Sequence, residues 1–195
     1  MLQKILFPFS ILLISNFSYA TFIIEPSAGY RQETIKLTDL LQNQAQIKIN
    51  SPVFGLKLGF TNAFGISFDL AGSRSSGKAD LTPTVAIPPD YTHAVGSAQI
   101  GVNAMGLLKI FLGYVVFDEL ELQSNSSFQG YKFKGQGFQA GLMTFPLPRL
   151  GIGLQYNVHQ FKEISGTNYT LGPDIKNYYD KVDVQDVAAT LSFLF

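Results

Sequence analysis

The sequence predicts an all-β fold, an eight-stranded antiparallel up-and-down transmembrane β-barrel, and three observations support this prediction. Apolar and polar residues alternate with a period of two in eight separate segments, which is typical of strands with two unlike faces. The connections between these segments alternate between short and long. Only 14% of the 195 residues are charged, although 46% are hydrophobic, and this balance fits strands that face lipid on one side and a lumen on the other.

The first twenty residues predict a secretory signal peptide. Lys4 precedes an apolar run over residues 5–14, and residues 18–20 read Ser-Tyr-Ala, a small-x-small cleavage pattern. The apolar run is too short for a spanning helix. We therefore expect residues 1–20 to be the signal peptide and residues 21–195 to form one outer-membrane β-barrel domain.

Eight segments have the length that a tilted strand needs to cross a bilayer, roughly 9–11 residues. In the first, Pro26 removes a ladder donor, so we expect a bulge or an early irregularity there. In the sixth, Phe133 and Phe138 have opposite parity, which predicts a bulge near residues 135–137 because glycine often marks bulges. The predicted segments are 22–34, 51–61, 64–75, 93–104, 107–118, 130–144, 150–161 and 182–195.

The second to fifth and the seventh segments alternate without interruption. In the seventh, Leu154 and Tyr156 share a face opposite Gln155 and Asn157. The polar faces also carry small residues, which a narrow eight-stranded lumen requires. The apolar faces of the second to fifth segments are Phe54, Leu56 and Leu58; Ile66, Phe68 and Leu70; Ala98, Ile100 and Val102; and Leu108, Ile110 and Leu112.

Short and long connections are predicted to lie at opposite ends of the barrel, with short turns in the periplasm and long loops outside the cell. An even number of strands then puts both termini in the periplasm. Within the first long connection, residues 37–46 are predicted to form a short helix. The short turns are 61–63, 105–106 and 145–149, and the long connections are 35–50, 76–92, 119–129 and 162–181.

The last segment alternates and ends on Phe195, with Phe193 on the same face. It resembles the C-terminal sorting strand of bacterial outer-membrane barrels. Over residues 21–195 the chain resembles the OmpA-like, OmpX-like and opacity-protein group of small eight-stranded barrels. The resemblance implies a Gram-negative outer-membrane location, Phe193 and Phe195 as an assembly signal, and the barrel-assembly machinery and periplasmic chaperones as partners during biogenesis.

A soluble eight-stranded barrel is the main competitor for this fold. A lipocalin also alternates, but with its apolar face inward. The lipocalin signature requires a Gly-x-Trp near the first strand, and this chain contains no Trp. An aromatic carboxyl end also has no role in a lipocalin, so the sequence favours the membrane barrel.

Polar residues of the predicted inward faces form the candidate site, a lumen polar network. We expect Lys57 and Lys109 to pair with Glu25 or Asp69, because buried charges must be paired. Lys132 and Lys134 are also predicted to point inward, although the register of the sixth segment leaves them open. The predicted network comprises Glu25, Arg31, Lys57, Asp69, Gln99, Lys109, Gln155, Asn157, His159 and Asp186.

Catalytic, metal and cofactor sites are not predicted. His159 lies near the outer end of the seventh segment, and nucleophilic catalysis would require a hydroxyl and an orienting acid beside it. His93 is predicted to lie at a loop edge. The two histidines are far apart in sequence and the chain has no Cys, so metal binding has no support from spacing.

The sequence therefore predicts a monomeric, non-enzymatic outer-membrane protein, structural or surface-interacting, whose lumen is plugged by polar side chains. Its expected partners are outer-membrane lipid, lipopolysaccharide and an extracellular ligand at the long loops. The near-zero net charge gives no indication of nucleic-acid binding. A narrow porin-like channel for ions or small solutes and a lipid A-modifying enzyme stay open as alternatives.

Overall fold

The computed structural model describes residues 21–104, 106–166 and 179–195. In these ranges eight antiparallel strands form a closed barrel in chain order, and the first strand pairs with the eighth to close it. This confirms the predicted eight-stranded up-and-down barrel; the predicted signal peptide lies outside the described residues. The strands are β1 (Thr21–Asp39), β2 (Gln44–Thr61), β3 (Ile66–Thr82), β4 (Asp90–Ala104), β5 (Leu108–Leu122), β6 (Tyr131–Leu147), β7 (Leu150–Gly166) and β8 (Tyr179–Phe193).

Across the described ranges, no helix has the length and apolar character that a membrane crossing requires.

The strands change their amphipathic character halfway along. On the outward face of β1, apolar side chains over residues 22–30 are replaced by Gln32 and Lys36 further up. On its inward face, charged side chains are replaced by Ile35 and Leu37. The alternation of the two faces is unbroken along β1, so the environment changes rather than the register. We call the two parts the belt half, with its outward apolar belt, and the upper half.

The belt half has the height of a membrane-crossing barrel wall. Eight residue steps from Phe22 to Tyr30 span roughly 26 Å at about 3.3 Å each, and a tilt of roughly 40° leaves a height of roughly 20 Å. On β7, Leu154 is 50% exposed and Val158 is 48% exposed, both outward. A surface of this kind is stable only where it contacts something apolar.

The upper half has its own apolar core inside the barrel. The outward faces there carry polar and charged residues such as Gln160 and Lys162, which are exposed. Water therefore surrounds this half, and the inward side chains pack together as in a soluble protein. This upper core consists of Ile35, Leu37, Ile47, Ile49, Ala79, Tyr91, Leu120, Leu122, Phe133, Phe161, Ile164 and Val184.

The predicted long connections are wrong in extent, because most of their residues continue the strands. The predicted ends assumed that a strand stops where its outward apolar row stops. The strands instead run for 15 to 19 residues, with polar residues outward in the upper half. The connections at this end are 40–43, 83–89, 123–130 and 167–178, and the last of them lies outside the described residues.

The predicted helix at 37–46 is also wrong. These residues form the end of β1, a tight turn and the start of β2. The Asp39 carboxylate accepts hydrogen bonds from the backbone amides of Leu41 and Asn43, both at 2.8 Å, and from the Asn43 side chain at 2.9 Å. These bonds favour a turn over a helix. The bond from the Asn43 side chain is also the main cause of the lowered pKa of Asp39.

The predicted bulge in the sixth strand is wrong, although the ladder is irregular at that level. Phe133 faces inward and Phe138 faces outward along one unbroken alternation of β6. Their opposite parity reflects the change from upper core to outward belt. The register shifts beside residues 134–137 place the extra residues on the neighbouring strands, at Val116–Phe117 of β5 and Lys162 of β7.

No bulge lies at Pro26, and the irregularity there is confined to the pairing with β8, which is regular only from Ser27 onward. Pro26 pairs with Leu56, and the β1–β2 register is continuous from Thr21 to Thr38. Ile24 exchanges both backbone hydrogen bonds with Phe195, so Pro26, two residues further on, also points its nitrogen toward β8. The missing donor therefore falls on the seam between β1 and β8, and it removes one ladder bond without moving the register.

Candidate functional site

The buried polar side chains of the barrel interior form the candidate site. All ten residues of the predicted lumen network lie on inward faces. Lys57 and Gln155 are partly exposed to the interior space, and the other eight are buried. The buried members are Glu25, Arg31, Asp69, Gln99, Lys109, Asn157, His159 and Asp186.

Two ion pairs lie near the short-turn end. Lys57 Nζ is 3.1 Å from Glu25 Oε1, directly opposite on the neighbouring strand. Lys109 Nζ is 2.6 Å from Asp69 Oδ2, reaching from β5 past β4 to β3. The two lysines thus have the carboxylate partners expected from the sequence. Each pair removes a charge that would be costly to bury alone.

A group of hydrogen-bonded amides lies in the interior as well, and it reaches the polar groups above through Asn157 and Asp186. Gln139 Nε2 donates to Ser97 Oγ at 2.9 Å, and Gln155 Nε2 donates to Asn157 Oδ1 at 2.7 Å. Asn157 Nδ2 then donates to Asp186 Oδ2 at 2.6 Å. The bond from Gln139 to Ser97 crosses the interior between β6 and β4, which are not neighbours. The other two bonds lie within β7 and between the neighbouring strands β7 and β8.

The upper end of the network is a cluster of charged and imidazole side chains. His93 Nδ1 lies 2.8 Å from Glu33 Oε2, and His93 Nε2 lies 2.7 Å from Asp118 Oδ1. His159 Nδ1 lies 2.6 Å from Asp118 Oδ2, and its Nε2 lies 3.2 Å from Asp186 Oδ2. Both imidazoles are therefore held between two carboxylates, and Asp118 joins them.

Arg31 completes this cluster, which we call the histidine cluster. Its Nε lies 3.3 Å from Asp186 Oδ2, and its Nη2 donates to Ser73 Oγ at 3.1 Å. The cluster comprises Arg31, Glu33, His93, Asp118, His159 and Asp186, and each side chain is at most 3% exposed.

Negative charge exceeds permanent positive charge among the described inward side chains. The three permanent cations are Arg31, Lys57 and Lys109. They leave two carboxylates without a permanent partner, and an uncompensated buried charge is strongly unfavourable. The histidine cluster is where the further positive charge is required. The five inward carboxylates are Glu25, Glu33, Asp69, Asp118 and Asp186.

Three members of the histidine cluster were missed from sequence. His93 was placed at a loop edge, but it is fully buried inside the barrel. Glu33 and Asp118 lie at the ends of predicted segments, where the predicted strands stopped short. Strict alternation would have placed Glu33 and His93 on inward faces. It would have placed Asp118 outward, because the extra residue at Val116–Phe117 of β5 shifts the parity there.

The inward placement of Lys132 and Lys134 is wrong. Both point outward on β6, and their ammonium groups lie 2.7 Å and 3.8 Å from the Glu119 carboxylate. The predicted bulge caused this error, because it shifted the parity of the upper part of the strand. The two histidines, which are far apart in sequence, lie together in the fold, with ring centroids 5.5 Å apart.

The interior has little free space around this network. One internal cavity of about 60 Å³ lies between the lower ion pairs and Arg31. At roughly 15 Å³ for each water by this measure, it holds about four water molecules. The upper core lies above the histidine cluster inside the barrel.

His159 has no nitrogen free to act as a base for a hydroxyl. Both of its ring nitrogens face carboxylate oxygens, on Asp118 and Asp186. A Ser-His-acid arrangement requires one nitrogen toward the nucleophile and one toward the acid. The geometry in the described part of the chain therefore does not provide the arrangement expected of the lipid A-modifying alternative.

Phe193 and Phe195 lie at the short-turn end and face outward. Their exposed fractions are 54% and 75%, and Phe195 hydrogen-bonds through its backbone to Ile24 of β1. The first and last described residues thus lie at the same end of the barrel, beside the seam.

No protein-family model matches this sequence, and no curated protein matches it. Similar solved structures exist at low sequence identity. Ail, the attachment invasion locus protein of Yersinia pestis, is 13% identical with a TM-score of 0.59, over 89% of this chain and 98% of that chain. Ail has also been solved in complex with the heparin analogue sucrose octasulfate, at 15% identity and a TM-score of 0.57.

Neisserial surface protein A is 13% identical with a TM-score of 0.50, over 90% of this chain and 99% of that chain. At these identities the likeness shows the fold alone. It agrees with the strand count, the closed topology and the outward apolar belt described above. The chain therefore has the fold of the small eight-stranded outer-membrane β-barrels.

Proposed function

We propose that the protein is an integral outer-membrane barrel without catalytic activity. In this proposal the belt half spans the membrane, and the upper half stands outside the cell as a rigid platform. The platform presents the connections 40–43, 83–89 and 123–130 to the surroundings. Both termini then lie in the periplasm, after removal of a signal peptide at residues 1–20.

The observation that carries this proposal is the inversion of the two faces along each strand. A barrel that lay wholly in lipid would need apolar residues outward along its whole length. A soluble barrel would not expose residues such as Leu154 and Phe138, which is 67% exposed. An outward apolar belt below an outward polar surface fits a barrel that stands partly in lipid and partly in water.

The packed interior supports a structural role over a porin-like channel. An ion path requires a continuous wet passage, and here paired charges fill the lower lumen and the upper core covers them. Eight-stranded barrels have interiors only just wide enough for their side chains. The small cavity beside Arg31 is room for bound water.

An extracellular ligand at the upper end is part of the proposal, but its chemistry is not carried over from Ail. A polyanion such as a heparin analogue would require a surplus of exposed cations. Here Lys78 lies 3.3 Å from Asp90, and Lys132 lies 2.7 Å from Glu119. The partners that remain in the proposal are membrane lipid and lipopolysaccharide at the belt, and the assembly machinery and chaperones during biogenesis.

Single-cysteine labelling tests this arrangement, because the chain contains no Cys and each variant has one thiol. Intact cells are treated with a membrane-impermeant maleimide. We expect Lys162→Cys in the upper half to react. Ala63→Cys in a short turn should react only after the outer membrane is permeabilised, and Leu154→Cys in the belt only after denaturation.

Two outcomes contradict the proposal. Reaction of Ala63→Cys on intact cells reverses the orientation, and reaction of Leu154→Cys in intact membranes shows that the belt does not face lipid. The matched control is Val158→Cys, which also faces outward near the top of the belt and should behave like Leu154→Cys.

A further inference from the structure

The histidine cluster brings together ligand atoms of the kind that bind transition metals. The chain has only two histidines, and the fold places both beside Asp118. His93 Nε2, His159 Nδ1 and the Asp118 carboxylate offer atoms that all lie within 4.8 Å of one another. Two imidazoles and one carboxylate are a frequent ligand set for zinc and related divalent ions.

The second nitrogen of each imidazole has the partner that a metal-binding histidine usually has. His93 Nδ1 lies 2.8 Å from Glu33, and His159 Nε2 lies 3.2 Å from Asp186. In metal sites such outer carboxylates accept the remaining N–H, fix the ring orientation and make the other nitrogen a better ligand. Glu33 Oε1 and Asp186 Oδ1 are buried without a hydrogen-bond partner. Each of the two outer carboxylates therefore has one oxygen whose charge no donor compensates.

The charge of the interior points to the same conclusion. The five inward carboxylates face three permanent cations, which leaves a surplus of two negative charges when the imidazoles are neutral. One divalent cation between His93 and His159 neutralises that surplus. The same could be achieved by one added proton on each imidazole, and this is the competing state that the experiment must distinguish.

We propose that His93 Nε2, His159 Nδ1 and the Asp118 carboxylate bind one divalent transition-metal ion of the zinc type, with Glu33 and Asp186 as outer partners. Both Asp118 oxygens face the histidines, so a bidentate carboxylate supplies four donor atoms in all. The ligand set contains no thiolate and two nitrogens, which favours zinc over calcium or magnesium.

Binding requires only a small opening of the cluster. The nitrogen-to-oxygen distances are now 2.7 Å and 2.6 Å, which is hydrogen-bond contact. Zinc holds nitrogen and oxygen at about 2.0–2.2 Å, so tetrahedral ligand atoms lie roughly 3.4 Å apart. The Asp118 side chain must withdraw by somewhat less than 1 Å. The two imidazole nitrogens, which lie within 4.8 Å of each other, must come to the same spacing of roughly 3.4 Å.

The role of the ion would be structural. The ligands and outer partners come from β1, β4, β5, β7 and β8, so one ion ties five of the eight strands together. The site lies beneath the upper core and all three ligands are buried. A buried site of this kind keeps no coordination position open to substrate, and it is filled as the barrel folds.

The test uses purified protein that is unfolded with a chelator and refolded in detergent with or without Zn²⁺. Metal content is measured after gel filtration in the presence of chelator. We expect one zinc ion per chain in the protein refolded with Zn²⁺. Protein labelled with ¹⁵N only at histidine has four imidazole nitrogen signals, all from the cluster. Two of these, one from each ring, should shift to values typical of metal-bound nitrogen.

Variants assign the site. His93→Gln, His159→Gln and Asp118→Asn should each lower the retained zinc at least tenfold. Glu33→Gln should weaken binding about 10- to 100-fold, as outer partners do. Gln99→Met changes another buried polar side chain of the interior and is the control that should retain one ion per chain.

Absence of retained zinc in the unaltered protein overturns the proposal, as does zinc that is retained equally by the ligand variants. If the ligand variants do not fold, the imidazole nitrogen signals of the ¹⁵N-labelled unaltered protein distinguish the metal-bound cluster from the protonated one. Four ring nitrogens that all carry protons with and without Zn²⁺ establish the doubly protonated cluster instead.

Discussion

Buried ion pairs hold the lower lumen, and their strength depends on both partners. Lys109 and Asp69 are 2.6 Å apart and nearly inaccessible to water. Water and counter-ions cannot compensate either group, so each charge depends on the other. The exposed pair of Lys78 and Asp90, at 3.3 Å, provides the comparison, because solvent screens it.

Removing one partner of the buried pair should destabilise the barrel strongly. We expect Lys109→Met to lower the free energy of unfolding by about 3–5 kcal/mol, since Asp69 is left charged and buried. Lys78→Met should change it by less than about 1 kcal/mol. Urea unfolding of refolded protein in detergent measures both. The double variant Lys109→Met with Asp69→Leu should recover most of the loss; equal losses in the single and double variants would contradict this account.

At the level of the strand, β7 shows the change of environment most clearly. Leu154 and Val158 face outward in the belt half, whereas Gln160 and Lys162 face outward above it. Phe161 faces inward and packs in the upper core. One strand thus has four kinds of surface. In the belt half its inward face is polar and its outward face is apolar, and in the upper half its inward face is apolar and its outward face is polar.

An arginine placed along β7 should report these environments. In lipid bilayers we expect Leu154→Arg to cost about 2–4 kcal/mol, as charges near the middle of a barrel wall do. Gln160→Arg should be close to neutral, because its side chain lies in water. Phe161→Arg should be more harmful than either, since it buries an unpaired charge. Unfolding in liposomes measures the series, and a uniform cost along the strand would disprove the inversion.

The seam between β1 and β8 depends on a glycine. A Cβ at Gly29 would clash with the backbone carbonyl of Ala189 on β8. We expect Gly29→Ala to lower the yield of closed barrel on refolding, because the two strands cannot keep their spacing. Gly72→Ala on β3 is the matched control, since its Cβ would meet nothing closer than 4.0 Å. Gel mobility with and without heating separates closed from unfolded chains.

At the level of the whole molecule, the described inward side chains form layers along the barrel. Paired charges, an amide chain, the histidine cluster and the upper core follow one another from the short-turn end upward. Some of their contacts link strands that are not neighbours, such as β3 with β5 and β1 with β4.

The plugged lumen that we propose should not conduct. We expect purified protein in a planar bilayer to give no stepwise conductance at moderate salt and voltage, because in this proposal no continuous water path crosses the layers. The control is a variant that shortens two inward aromatic side chains, Phe111→Ala with Phe133→Ala. Steady single-channel steps from the unaltered protein would favour the porin-like alternative.

Much of the belt half could be predicted from the sequence. Period-two alternation determined which residues share a face, and the outward apolar rows of the second to fifth and seventh strands followed from it. Lys57 and Glu25 were also predictable as partners, because both lie on polar faces of neighbouring strands. Local pattern is sufficient here, since one face contacts lipid-like surroundings and the other a polar interior along the whole segment.

Only the tertiary structure decided the upper half and the histidine cluster. Alternation shows which residues share a face, but it does not show whether that face contacts lipid, water or other side chains. The inward-facing side chain of Phe133 was therefore interpreted as evidence of a bulge. Barrel closure brings His93 and His159 together from 66 positions apart, with Asp118 between them. No short-range sequence pattern predicts the contact of these three residues, because it depends on the positions of all eight strands around the ring.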